Sequence, residues 1–340
     1  HNLLVKGLYG MAWVGAKITG LGAEVPEKVL TNADLEKIVD TTDEWIVTRT
    51  GIRERRIVAE DQATSDLAIA ASRKAMAHAG VEAGDIDAVI VATVSADYPF
   101  PACACLVQSA LGIGGFAFDI SAGCTGWIYS LVMAEQLVKS GGAKRVLCIG
   151  AECLSRITDY TDRNTCVLFG DGAGAAIVEG ADEEDNGILA WDLGSDGSDP
   201  SILWQPAGGS KTPASHATVD AHDHSVRMRG RDVYVFATRI MGHTCEKTLE
   251  KAGLTPESIA LLVPHQANER ITQSARERFG MPFDRIVSNV DRYGNTSSAS
   301  IPIALKESLD AGRAKKDDLI LVVGFGAGLT WGSCLLRWRI

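Results

Sequence analysis

Residues Ala88–Ser95 (AVIVATVS) form a β-rich, almost wholly apolar run without the polar alternation of a half-exposed strand. Such a run predicts a strand covered on both faces, and that requires helices above and below its sheet. The preceding segment supplies one. Thr64–Gly80 has helical spacing, with Ala68, Ala71, Ala75 and Ala79 on one small-residue face. Ala143–Ala151, Ala173–Glu179 and Leu319–Gly324 read as further strands, and Asp119–Gly142 as a strand end, a tight turn and a helix closed by Gly141-Gly142. In the second half Arg231–Gly253, Ala267–Gly280 and Ser300–Gly312 read as helices around a short strand at Ile259–Pro264, with Pro302 interrupting the last helix near its start. This order predicts an α/β chain of two similar halves. Glu179–Asn186 is charged and forms the expected junction, while Asp196–His224, rich in Gly, Pro, Ser and His, reads as an extended surface excursion.

With 340 residues, folding buries about 75% of the chain's surface, so a large core is available. The net charge of −10 excludes a general nucleic-acid binder, because neutralising phosphates needs a basic surface. An acidic partner would have to dock on a local basic patch. No uncharged apolar run reaches the roughly 18 residues of a membrane span, and the mildly apolar Leu3–Gly15 lacks a convincing cleavage site for a signal peptide. The eight cysteines are scattered without a C-x-x-C pair or zinc-site spacing, which points to a reduced, cytoplasmic protein. Cys103 and Cys105 suit the two faces of an extended segment. His216, His222 and His224 share the polar excursion without regular ligand spacing, and a solvated loop is the expectation there.

Cys124 is the first candidate for chemistry. It lies in Ser121-Ala122-Gly123-Cys124-Thr125-Gly126, where a strand meets a helix beginning near Trp127. Glycines permit a sharp turn there, and the positive end of a helix dipole favours a thiolate; a small buried hydrophobe is the other reading. His265, in Val263-Pro264-His265-Gln266-Ala267-Asn268, ends a strand, where α/β proteins place chemistry, although a satisfied structural histidine fits as well. Asn295 sits in a small polar loop, Tyr293–Ser300, of the kind that also caps helices. The glycine loop Gly324–Gly328 could expose N–H groups as an oxyanion hole or serve as a plain hairpin connection. Gly170–Gly174 lacks the Lys of a phosphate loop and precedes a strand.

Six segments in this order resemble β-ketoacyl-[acyl carrier protein] synthase III, a thiolase-fold family of bacterial fatty-acid synthesis. They are Thr31–Leu35, Asp43–Ile52, the Cys124 turn, Phe169–Gly174, Pro264–Asn268 and Tyr293–Ser297. The resemblance covers about residues 17–340. It implies two α/β halves packed as a layered αβαβα core, with 1–16 as an extension, 17–184 carrying the nucleophile and 185–340 carrying His265 and Asn295. It implies that Cys124 takes an acyl group from acyl-CoA, with backbone N–H groups of Cys124 and Ala327 holding the oxyanion. His265 and Asn295 would then hydrogen-bond malonyl-acyl carrier protein as it loses carbon dioxide and attacks the acyl group. No metal or redox cofactor is implied. Carried over residue by residue, Trp45 and Arg163 would sandwich the adenine of coenzyme A. Thr41, Arg49, Tyr234, Ala267 and Asn268 would line its channel. Phe100 would cross a homodimer interface into the partner's acyl pocket, and Trp127 would border the acyl pocket. Arg270, with Arg276 and Arg278, would form the patch that receives the acidic carrier protein. A polyketide-priming ketosynthase or an acyltransferase of the same fold would keep much of this pattern.

Overall fold

The computed structural model describes residues 13–340. Its first sheet is ordered Gly15–Glu24, Asp171–Ala181, Arg145–Cys153, Ala88–Ala92, Phe116–Ile120. The last three strands run parallel, and Asp171–Ala181 is antiparallel to both of its neighbours. The second sheet is ordered Ile188–Ser195, Thr330–Arg337, Leu319–Gly326, Leu261–Pro264. Leu262 adds a parallel bridge to Ile286 at the place of a fifth strand. Counted along the chain, both halves follow the same order, so one topology is used twice.

Ala88–Ala92 is buried at every position, and its two faces enter different cores. Ala88 and Ile90 join Trp127, Ile128 and Leu131 of the helix Gly126–Lys139, with Ile301, Ala304 and Leu305 of the helix Ser300–Asp310 and strand residues of the second sheet. Val89 and Val91 instead meet Leu67, Ala68, Ala71 and Ala75 of the helix Thr64–Ala79. The helices Gly230–Ala252 and Glu269–Phe279 cover the outer face of the second sheet. The result is five layers, αβαβα, of the thiolase fold. Small residues set the outer spacing: a Cβ added at Gly20 would stand 2.3 Å from the Ala75 carbonyl oxygen, and one at Gly22 would stand 2.2 Å from that of Ala71. Pro302 lies in the first turn of its helix, where the missing N–H has no intrahelical partner to lose.

Three expectations need correction. Cys103–Leu111 is a helix, not an extended segment, because the Asp119 carboxylate accepts from its first N–H groups, Cys103 at 2.7 Å and Ala104 at 2.8 Å. Cys103 is consequently buried and Cys105 half-buried. The first strand begins at Gly15, inside the segment expected to be an extension, and Trp13 packs against the central core; residues 1–12 lie outside the described part. Asp171 and the glycines after it belong to a strand rather than preceding one.

Candidate active site

The C-terminal ends of the strands meet between the two halves, and the site is built there. Phe116–Ile120 feeds a 3-10 turn, Gly123–Thr125, which leads directly into Gly126–Lys139. Gly123 holds φ +54°, and a Cβ there would lie 2.8 Å from the Ala327 nitrogen. A Cβ at Gly326 would lie 2.4 Å from the Cys124 nitrogen. The glycine loop and the nucleophile turn therefore interlock at a distance only glycine permits. Thr330 fastens them, its Oγ1 lying 2.9 Å from the Ala122 carbonyl oxygen and 3.0 Å from that of Ala327. Among the described backbone hydrogen bonds outside the helices and strands none uses the Ala327 N–H as donor, and Ala327 lines a cavity with Cys124.

Cys124 is buried, and burial pushes its thiol up to about 12. The helix-terminus effect expected to favour the thiolate is outweighed by desolvation.

His265, 1% exposed, follows Leu261–Pro264. Its Nδ1 lies 2.6 Å from Ser300 Oγ, which also receives the Gln266 N–H at 3.4 Å. The Ser300 hydroxyl can donate to Nδ1 while accepting that N–H, and in this tautomer the neutral ring carries its proton on Nε2. Nε2 is buried without a partner. Burial pushes the ring down to about 3, so it stays neutral. The Phe325 ring packs edge-on against it, 5.4 Å between centroids. Asn295 is tied to Leu168 and Gly170 by backbone hydrogen bonds of 2.8 and 3.0 Å. Its Oδ1 accepts the Ser297 N–H at 2.8 Å, so its NH₂ is the end left to donate. Two neutral donors and one thiol thus line a single cavity.

That cavity opens at a mouth walled by Trp45, Arg49, Arg231, Tyr234, Asn268 and Arg270, with Leu168, Met228 and Gly230 shared between the two. Trp45 and Arg49 lie on the helix Asp43–Thr50, which Thr42 caps by accepting the Trp45 N–H at 3.1 Å. The guanidinium carbons of Arg49 and Arg163 stand 5.0 and 4.8 Å from the Trp45 ring centroid. Asn268 joins the two walls, donating to the Arg49 carbonyl at 3.0 Å and capping Glu269–Phe279 through the Arg270 N–H. Ala267 lines the inner channel. Thr41 is half-buried with an unpartnered hydroxyl and is not part of the channel wall.

A second cavity leaves Cys124 in another direction, lined by Val94, Leu154, Ile157, Leu203, Trp204, Gln205 and Val226. The supposed surface excursion therefore supplies part of an apolar pocket, which its Gly, Pro and His content hides. Trp127 takes no part: it lies fully buried in the central core, because one turn into its helix the side chain points between the sheets. Phe100 is 85% exposed and lines neither cavity of the single chain. Nor do the three arginines expected to receive the carrier protein form one free patch. Arg270 stacks over Tyr234 at the mouth, Arg276 over Phe283, and Arg278 is held by Glu246 at 2.9 Å. His222 pairs with Asp159 at 3.0 Å and His224 with Thr218 at 2.9 Å. Among the described residues no group of three or more His, Cys, Asp or Glu side chains converges as a metal site. No helix among them is long and apolar enough to cross a membrane. Sequence reasoning also missed Glu152, buried behind the site with Ser95, Val94, Thr93 and Ser298 around it.

A duplicated α/β topology with a Cys-His-Asn site at the junction of its halves defines an acyl-transferring condensing enzyme of the thiolase fold. The model for 3-oxoacyl-[acyl-carrier-protein] synthase III matches residues 118–197, and the model for its C-terminal part matches residues 249–338. The beta-ketoacyl-[acyl-carrier-protein] synthase III of Caldanaerobacter subterraneus subsp. tengcongensis is 53% identical over 326 residues, covering 96% of this chain and 98% of that one. The crystal structure of the Thermus thermophilus synthase III superposes with a TM-score of 0.88 at 51% identity, covering 95% of this chain and 99% of the other. The priming β-ketosynthase of the R1128 polyketide pathway superposes at 0.90 with 34% identity, covering 98% and 99%. The chain belongs to the β-ketoacyl-[acyl-carrier-protein] synthase III family.

Proposed function

We propose that Cys124, His265 and Asn295 divide between them the family's condensation of an acyl-CoA with malonyl-acyl carrier protein, the reaction that initiates fatty-acid synthesis. The observation that carries this is the pair of unspent side-chain ends, His265 Nε2 and the Asn295 NH₂, on residues lining the cavity that holds Cys124. Cys124 takes the acyl group as coenzyme A leaves, and the Cys124 and Ala327 N–H groups hold the thioester oxyanion. Malonyl thioester then enters by the same channel. As carbon dioxide departs, negative charge moves to the thioester oxygen, where neutral donors stabilise it without bringing in a charge of their own. The enolate carbon attacks the acyl carbonyl of acyl-Cys124, the bond from that carbon to Sγ breaks with its electron pair returning to sulfur, and β-ketoacyl-carrier protein leaves as the Cys124 thiolate is restored and reprotonated. Electrons balance without a metal or redox group.

In this scheme the adenine of coenzyme A binds at Trp45 and Arg163, with Arg49, Tyr234, Ala267 and Asn268 along its path. The acyl chain lies in the apolar cavity beyond Cys124. The carrier protein docks at the arginine-rich mouth, with Arg270 as its main contact. The exposed Phe100 belongs to a homodimer interface, and the enzyme works in the cytoplasm. Incubation of His265→Ala and Asn295→Ala with acyl-CoA tests the division of labour. Both variants should still show acyl-Cys124 by mass, while decarboxylation of malonyl-carrier protein falls about 10²–10³-fold. Loss of the acyl adduct from His265→Ala at neutral pH, with recovery in alkali, would make His265 the thiol's base instead.

A further inference from the structure

His265 and Asn295 have to serve one oxygen, yet they belong to different segments. One follows the strand Leu261–Pro264 and the other follows the short helix Val290–Tyr293. The residue after His265 connects them. Gln266 is 1% exposed, and a buried carboxamide is destabilising unless its hydrogen bonds are made. Its Nε2 donates to the Pro264 carbonyl at 2.7 Å and to that of Val287 at 3.2 Å, while its Oε1 accepts the Asn289 N–H at 2.9 Å.

Those three bonds fall where a parallel ladder would continue. Leu262 bridges Ile286, and the Val287 N–H donates to the Leu262 carbonyl at 2.9 Å. The next rung would bring the N–H of residue 264 to the Val287 carbonyl, and the one after it the Asn289 N–H to the carbonyl of residue 264. Residue 264 is proline, which has no N–H, so the first of these rungs cannot form. The Gln266 carboxamide takes up all three groups left over: the Val287 carbonyl, the Pro264 carbonyl and the Asn289 N–H.

Asn289 carries the connection onward. It is 3% exposed, and its Nδ2 donates to Glu307 Oε2 at 2.8 Å. Glu307 also accepts from Tyr293 Oη at 2.5 Å and from Arg292 at both oxygens, each at 3.0 Å. Tyr293 leads through Gly294 to Asn295, and a Cβ at Gly294 would lie 2.6 Å from the Leu168 carbonyl oxygen. A continuous set of hydrogen bonds thus runs from the His265 strand end to the Asn295 loop. Cys124 is fixed separately, through Gly326 and Thr330, and Asn268 through Arg49.

We propose that Gln266 is a positioning residue for decarboxylation, holding His265 Nε2 and the Asn295 NH₂ at one spacing by completing the ladder that Pro264 interrupts. The inference rests on those two side chains being the donors of that step.

Gln266→Glu and Gln266→Leu test it. Each is assayed for acylation of Cys124 by acetyl-CoA and, with Cys124→Ala added, for decarboxylation of malonyl-carrier protein, always against its parent at the same pH. A protonated glutamic acid keeps a donor for Pro264 and an acceptor for the Asn289 N–H, whereas an ionised one turns a charge on two carbonyls. The ionisable groups along the bond set are His265, held neutral by burial, and Glu307, paired with Arg292. Burial therefore raises the new carboxyl above the usual range. Gln266→Glu should decarboxylate within about threefold of its parent near pH 5.5 and about 10²-fold more slowly near pH 9, the scale of a misplacement of about 1 Å. The loss should fall on kcat, with the KM for malonyl-carrier protein and the rate of acylation little changed. Gln266→Leu should show the loss at every pH and spare acylation likewise; if it does not fold, the pH response of Gln266→Glu decides alone. Parental decarboxylation in Gln266→Leu, a Gln266→Glu loss equal at every pH, or acylation falling in step with decarboxylation overturns the positioning role. Undiminished decarboxylation in His265→Ala overturns instead the reading on which it rests.

Discussion

The two halves repeat one turn with different contents. In the first, Gly123 at φ +54° opens a 3-10 turn, Gly123–Thr125, before Gly126–Lys139. In the second, Ser297 at φ +48° opens another, Ser297–Ala299, before Ser300–Asp310. The residues preceding them, Ala122 and Thr296, have similar backbone angles. Cys124 therefore corresponds to Ser298. Cys124 reaches both cavities, whereas the Ser298 hydroxyl is turned into the protein, against Ala92 and Glu152. Duplication supplies a second strained turn, and the contents of each turn decide whether it presents a nucleophile or supports one.

Removing the thiol breaks the comparison most severely. Cys124→Ala should abolish the acyl adduct and cut condensation by about 10⁴-fold or more, while some decarboxylation persists. Adding Ser298→Cys to that variant puts a thiol on the corresponding turn. No adduct should form at residue 298, and finding one by mass would show that the two turns are interchangeable.

The mouth offers smaller effects, since its wall, drawn from Asp43–Thr50 of the first half and from Gly230–Ala252, Asn268 and Arg270 of the second, does not include Cys124, His265 or Asn295. Trp45→Ala should raise the KM for acyl-CoA about tenfold, from the loss of about 1–2 kcal/mol of stacking, and leave short acyl thioesters nearly unaffected. Equal losses on both substrates would remove Trp45 from adenine recognition. Arg270→Glu should reduce the use of malonyl-carrier protein several-fold at low salt and flatten its salt dependence, sparing acylation by acyl-CoA. An unchanged carrier-dependent rate places docking elsewhere.

The finest test asks for no change. Because burial holds His265 down to about 3, acidification from about pH 8 to 5 should not charge it. Decarboxylation by Cys124→Ala should then run level over that range and drop only as the pH nears the ring's own value. A bend near pH 6–7 would mean that the ring titrates as an ordinary histidine.

The sequence made the strands and helices legible where burial on both faces or a small-residue stripe left an unmistakable pattern, as in Ala88–Ala92 and Thr64–Ala79. Cys124 stood out by its glycine frame. His265 and Asn295 gained their roles from the order of matched segments, since each alone also fits a structural residue. Glu152 stayed invisible because its partners Thr93, Ser95 and Ser298 come from other segments, and nothing local marks a carboxylate inside an apolar strand. Leu203 and Trp204 were hidden by polar neighbours. Trp127 misled because position along a helix does not tell which face meets the cavity. The Arg278–Glu246 pair spans two helices, and only packing reveals that the charge is already engaged.

The contact between Arg163 and Trp45 bears on how a flat ring could enter this mouth. A flat ring held between two partners needs about 7–8 Å, twice an ordinary contact distance, and the guanidinium stands 4.8 Å from the indole. In the proposed sandwich the guanidinium must therefore lift off the indole by about one ring's thickness to admit the adenine, and its contact with the Asp40 carbonyl at 3.0 Å has to stretch or be remade as it does so. On that proposal, affinity here is the gain from two new stacks less the one Arg163–Trp45 contact that must open.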